Sequence, residues 1–310
     1  MPISIDNLCY SGEGEESQLQ TSTNDIFITS EYGLTFHQPH PTFFLLLKDY
    51  TFSGASQYVT AFCHWKDFIY LCLDDNTIAK MTSNLDDPCH FIRCNGTARA
   101  INVCKDSIYT MQKVRKQGSP ASHSIHVYDL SGQEVTQWTC STDGGFDVTS
   151  LTINDDQLLV PDNINRRLTV YSLDGHVLRY IPCSLHRPYC LSADMLSCEH
   201  GSVIICISFL NKLLKINTTT GEVVQTFDGF NNPTKICLYG PQYVLAVQAH
   251  GREIVVLNLK TGEIKPVSFV EDGDVGFNRS CDINILCVGS ILFANYYFQG
   301  SVIKLYKIVT

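Results

Sequence analysis

Four short apolar runs separated by turn formers recur along this chain, and that repeat constrains the fold more than any other feature. Its clearest copy, residues 148–183, runs VTSLTIN, QLLVPD, RLTVYSL and HVLRYIPC, split by Asp-Asp, an Asn-Arg stretch and Asp-Gly. Each run has the length of a strand and is rich in the β-branched and aromatic residues that suit a pleated surface. The second run returns as DFIYLCLDD, DSIYTMQKV, GSVIICIS, QYVLAVQA and GSILFANYY. Third runs begin at Thr77, Ser124, Arg167, Lys212, Glu253 and Ser301, a spacing of 41 to 48 residues. Four of the turns that follow are built on glycine, in LSGQE, LDGHV, TTGEV and KTGEI. Glycine supplies the positive φ that tight hairpin turns require.

Four-stranded units of this period, with no helical alternation between them, predict a β-propeller in which each blade buries its faces against its neighbours. The copy beginning at Ser280 supplies only three runs before Thr310. The run FFLLLKDYTFSG, residues 43–54, lies where a fourth run would precede the next first run, VTAFC. It is expected to complete the last blade and cover edges otherwise open to pairing. The expected fold is therefore all-β: a six-bladed propeller over residues 43–310, four antiparallel strands per blade, closed by an N-terminal strand. Residues 1–42 form an acidic extension with six carboxylates and no Lys or Arg. Within it, DIFITSEYGLTF, residues 25–36, is left as an extra hairpin or the remnant of a seventh blade.

The N-terminus lacks the basic start and apolar centre of a leader, and no apolar run approaches the roughly 20 residues that cross a membrane. A cytoplasmic chain is expected, with no membrane partner. The 14 cysteines lie mostly inside apolar runs and include no CxxC, so they are expected to be buried and reduced. Sequons at Asn95, Asn217 and Asn278 then read as chance matches.

The segment DNINRRLTVYSLDG resembles the NHL repeat, an apolar run followed by Asp, two residues, Asn, one residue and Arg, then an apolar run ending near Asp-Gly. Asp162, Asn165, Arg167 and Gly175 occupy those places. The match is good in this copy and degenerate in the others, where DDNTIAKM keeps an Asp and SFLNKLLKINTTTG keeps only shape and turn. The resemblance implies a propeller like those ending tripartite-motif ubiquitin ligases, which bind substrate proteins or RNA. The RING and B-box zinc modules of such ligases need closely spaced Cys and His sets that this chain lacks.

In an up-and-down blade, the second-to-third turns share a face with the connections between blades. That face sums to neutral but holds a basic sector: Lys113, Arg115 and Lys116 in the long insertion QKVRKQGSPASHSIH, then Arg166 and Arg167. Arg187, Tyr189, Arg252 and Arg279 are further candidates for contacting a partner there. Tyr58, Tyr296, Tyr297 and Phe298 lie near it and are of the type that stacks on bases. The opposite face sums to −6 in its third-to-fourth turns and −4 in its first-to-second turns, which repels phosphate. Asp162 and Arg167 also fit a structural contact between blades.

An enzyme of the lactonase kind would gather carboxylates and Asn from the first strands around the central channel. The aligned positions offer two rings, Cys63, Asn102, Thr152, Ser192, Cys237 and Asn284, and Ala61, Ala100, Ser150, Cys190, Lys235 and Asp282. Asp282 is their single carboxylate, with Lys235 as a plausible ion-pair partner, so a metal held by Asp282, Asn284 and Asn102 would be weak. The pairs His37 with His40, Cys63 with His64, Cys89 with His90 and His123 with His126 lack structural-zinc spacing. No GxSxG element or phosphate-binding glycine loop is present. The leading expectation is a non-enzymatic scaffold that binds a protein, with substrate selection for ubiquitination implied by the resemblance. Single-stranded RNA is the alternative ligand and a metal-dependent hydrolase the third reading. No cofactor and no DNA partner are expected.

Overall fold

The computed structural model describes residues 41, 43–51, 58–86, 88–114, 122–140, 150–162, 165, 167–182, 194–199, 201–248, 253–270, 283–288, 291–297 and 301–309. They form strands β1 (Phe43–Thr51), β2 (Val59–Trp65), β3 (Phe68–Leu73), β4 (Thr77–Thr82), β5 (Cys89–Arg93), β6 (Thr97–Cys104), β7 (Ser107–Val114), β8 (Ser122–Asp129) and β9 (Glu134–Thr139). Next come β10 (Thr152–Asn154), β11 (Gln157–Asp162), β12 (Arg167–Ser172), β13 (Val177–Pro182), β14 (Asp194–Glu199), β15 (Ser202–Ile207), β16 (Lys212–Asn217) and β17 (Val223–Phe227). The last are β18 (Pro233–Tyr239), β19 (Tyr243–Gln248), β20 (Glu253–Asn258), β21 (Ile264–Val270), β22 (Ile283–Val288), β23 (Ile291–Tyr297) and β24 (Ser301–Val309). The strand-length apolar runs of the repeat correspond to these strands; the third strand expected from Ser124 starts two residues earlier, at Ser122.

Four sheets hold four strands each, in chain order β2–β5, β6–β9, β10–β13 and β14–β17. A further sheet of eight has the order β18-β19-β20-β21-β1-β24-β23-β22. In it β1 runs antiparallel to β24, from Phe43 opposite Val309 to Thr51 opposite Val302. Its start also pairs in parallel with β21, Phe43 facing Ser268. The N-terminal strand therefore takes the outer place beside the last hairpin. The first strands β2, β6, β10, β14, β18 and β22 each touch the next, and β22 touches β2, so the sheets are arranged in a ring. The architecture is an all-β propeller with four antiparallel strands per blade.

The core lies between blades, because alternate residues of a strand point to opposite faces of its sheet. Middle strands are covered on both faces, and every residue of β15 and β19 is buried. One apolar cluster joins Leu159, Leu168 and Ile181 to Val203, Ile205 and Leu214 of the following blade. Another joins Leu245, Val256 and Val267 to Ile285 and Tyr306.

Glycine turns lock neighbours together at the rim. Gly175, at φ 94°, would place a Cβ 2.7 Å from the Trp138 ring of the preceding blade. Gly221, at φ 76°, would meet Ile181 at 2.9 Å in the same way. Arg179 reinforces the second junction, its Nε and Nη2 donating to the Thr218 carbonyl at 3.0 and 2.9 Å.

Candidate functional site

Of the basic residues expected to form a binding face, the structure describes two, Lys113 and Arg167. Arg115, Lys116, Arg166, Arg187, Tyr189, Arg252 and Arg279 lie outside the described residues. Lys113 is the next-to-last residue of β7, opposite Thr97 on one side and His123 on the other. Its carbonyl is approached so closely by Gly96 that a Cβ there would sit 2.6 Å away, which ties the β5–β6 connection to the end of β7.

Arg167 opens β12 and is consumed locally. The side chain of Asp162 is fully buried at the end of β11. It accepts from the Asn165 backbone at 3.1 Å, from Asn165 Nδ2 at 2.7 Å and from Arg167 Nε at 3.1 Å. The guanidinium then lies 3.7 Å from the ring centroid of Tyr180 on β13. Asp162 and Arg167 are cross-strand partners in one hairpin. The pairing is thus within a blade, where a blade-to-blade contact was expected, because Asp162 and Arg167 face each other across the β11–β12 ladder.

Near the end of the second strand, other described sheets likewise bind the backbone of a connection between blades. Asp74 accepts from the Tyr58 backbone at 2.9 Å and Gln112 from that of Asn95 at 3.2 Å. Gln248 accepts from Asn231 and donates to Glu253 at 2.8 Å. Asn211 accepts from the Asn232 backbone at 2.7 Å, and Lys212 is bound to Asp228 at 2.8 Å. Much of this face is therefore structural polar bonding. Phe209, which nothing in its run of sequence sets apart, lies in a short 3-10 turn, Ser208–Leu210, and is 58% exposed.

On the opposite face the first-to-second turns are laced from blade to blade. Lys66 Nζ reaches Asp106 at 2.9 Å and Lys105 Nζ reaches Asp156 at 2.5 Å. Asp155 accepts from the Gly201 backbone at 2.6 Å. The hydrogen bond and charge of Lys66 hold the Asp106 carboxyl below the usual carboxylate range. Part of the negative charge of this face is thus neutralised in a chain of turn contacts.

Of the proposed channel rings, Cys63 and Cys237 are buried in apolar clusters that join neighbouring blades. Asn102 is half-buried on β6, on the same strand face as Ala100, which packs toward the next blade. Lys235 is half-buried on the face of β18 that also carries Cys237, just after a register shift between Pro233 and Lys235. Asn284 pairs with Asn295 through the backbone, and Asp282 lies outside the described residues. No group of three His, Cys, Asp or Glu able to hold a metal occurs among the described residues.

The surface that does stand out is apolar and sits on the outer strands of successive blades. Val177, Leu178 and Tyr180 on β13 are 45, 48 and 46% exposed, and Val223 and Val224 on β17 are 51 and 58% exposed. Val135 on β9 is 63% exposed. From sequence these runs looked like ordinary strands; their exposure follows from being fourth in the blade, where no further strand covers them.

No protein family matches the sequence, and no curated protein matches it. Among solved structures, a structural genomics protein of unknown function from Bacteroides thetaiotaomicron is similar, with a TM-score of 0.65 and 13% identity over 84% of this chain and 72% of that one. A streptogramin B lyase structure is similar with a TM-score of 0.58 and 13% identity over 85% of this chain and 87% of that one. At this identity the likeness concerns the fold. It adds nothing to the NHL resemblance, which rests on the Asp162–Arg167 hairpin. No helix among the described residues is long and apolar enough to cross a membrane.

Proposed function

We propose that this chain is a six-bladed propeller serving as a non-enzymatic scaffold that binds a protein partner along its outer strands. Six blades follow when the eight-stranded sheet is divided at its parallel β1–β21 junction, into β18–β21 and β22–β24 completed by β1. The observation that carries the functional reading is the exposed apolar set on β13 and β17. Valine, leucine and tyrosine side chains at such exposure on adjoining blades favour contact with an apolar surface. The outer strands also end their sheets, so an extended peptide can add to them by main-chain bonding, as β1 does to β21. The partner class is thus a protein with an extended apolar segment, and substrate selection for ubiquitination is one role such binding serves.

Affinity capture with the full chain, with and without ribonuclease, followed by mass spectrometry of retained proteins, tests this. A retained protein indifferent to ribonuclease is expected. Retention that disappears with ribonuclease, or RNA binding that weakens steeply with salt, would transfer the function to the basic loops.

A further inference from the structure

Cys237 on β18 and Cys287 on β22 belong to different blades, yet their sulfurs lie 3.2 Å apart. That is inside ordinary sulfur contact, and closing to the roughly 2.05 Å of a disulfide needs a shift of only about 1 Å shared between two strands. Cys237 is 8% exposed and Cys287 half-buried, so Cys287 is the more accessible residue of the pair. Other described thiols are placed differently. Cys206 donates to the Pro233 carbonyl at 3.0 Å and Cys89 to the Lys80 carbonyl at 3.4 Å. Burial pushes the thiols of Cys94 and Cys140 up to about 12, which leaves them inert.

We propose that Cys237 and Cys287 are a site of oxidative modification, at which a peroxide converts the two thiols into a disulfide that staples the first strands of adjacent blades. The thiolate of Cys287 attacks one oxygen of hydrogen peroxide, the O–O bond breaks, and a sulfenic acid forms as hydroxide leaves and becomes water. The thiolate of Cys237 then attacks the Cys287 sulfur; the S–S bond forms and the S–O bond breaks, releasing a second water. The two thiols lose two electrons, and one peroxide is reduced to two waters. The disulfide would close a loop from β18 to β22 and tie together two strands of the inner ring.

The experiment treats the full, folded chain with hydrogen peroxide, blocks the remaining thiols, and maps cross-linked peptides without reduction. The expected result is a Cys237–Cys287 peptide pair, lost on adding a thiol reductant, and slower unfolding of the oxidised protein than of the reduced one. In the Cys237→Ser variant a dimedone adduct is expected at Cys287, because the sulfenic acid has no second thiol to meet. Untouched thiols, a dimedone adduct or sulfinic acid at Cys287 in the unsubstituted protein, or a cross-link between other cysteines would overturn the proposal. The peptide map of the unsubstituted chain decides the matter even where the variant fails to fold.

Discussion

Arg167 is held between the buried carboxylate of Asp162, 3.1 Å from its Nε, and the ring of Tyr180, 3.7 Å from its guanidinium carbon. One arginine thus ties β11, β12 and β13 into a single unit. Replacing Arg167 with Ala leaves the Asp162 charge buried with only Asn165 to satisfy it. Loss of a charged hydrogen bond and of the stacking is expected to cost about 2–4 kcal/mol. Arg167→Lys is expected to recover less than half of that, since an ammonium cannot donate from Nε and stack at once. Urea unfolding of the three proteins measures both.

Gly175 and Gly262 both sit at positive φ, 94° and 75°, in equivalent turns, but only Gly175 faces a neighbouring side chain. Alanine at 262 meets nothing within 4 Å and is expected to cost about 1 kcal/mol of backbone strain alone. Alanine at 175 collides with Trp138 and is expected to cost about 2–4 kcal/mol in total. Equal losses in thermal unfolding would show that the glycine turn is not a lock between blades.

Burial lowers the pKa of His64 from its ordinary 6.5, opposed in part by the charge of Asp67. The folded protein therefore binds this proton less readily than the unfolded chain. The stability His64 contributes is present above pH 6.5 and is lost as pH falls from 6.5 toward the lowered folded value. His64→Gln can keep a hydrogen bond to Ser83, which the imidazole Nε2 now meets at 3.1 Å. Stability profiles of the two proteins are expected to diverge below pH 6.5, with the variant losing less; parallel profiles there would refute the assignment.

Most strands were legible in the sequence because strand-length apolar runs mark them, and in four copies a glycine turn such as that at Gly175 marks where the chain reverses. The binding surface was not legible, for two physical reasons. A cation such as Lys212 or Arg167 looks available until its carboxylate, Asp228 or Asp162, is brought beside it by the fold. Exposed apolar residues such as Leu178 look like core until the order of strands in a blade places them last. Of the ring positions, Cys63 and Cys237 lie in apolar clusters joining neighbouring blades, a placement that strand alignment alone does not give.

β1 covers the edge of β24 over nearly its whole length and meets the edge of β21 as well. Removing residues through Thr51 exposes both edges at once, and uncovered strands template association. The shortened chain is expected to melt at a lower temperature and to scatter light at concentrations where the full chain stays monodisperse. An unchanged melting temperature would mean that β1 is dispensable for closing the ring.

Leu178 and Val224 are 48 and 58% exposed, so neither contributes much to the folded core. Changing both to Lys is expected to alter stability by less than about 0.5 kcal/mol, the usual range for surface positions. The same change places two charges in the middle of the apolar set on β13 and β17, where burying them against a partner carries a desolvation cost. Partner retention is therefore expected to fall at least tenfold while the melting curve stays in place. Substituting Lys66, an exposed cation already paired with Asp106 on the acidic face, serves as the control and is expected to leave retention unchanged. Should the double variant hold its partner as well as the unsubstituted protein does, the outer strands are not the docking surface, and the turns carrying Phe209 and Lys113 become the place to look.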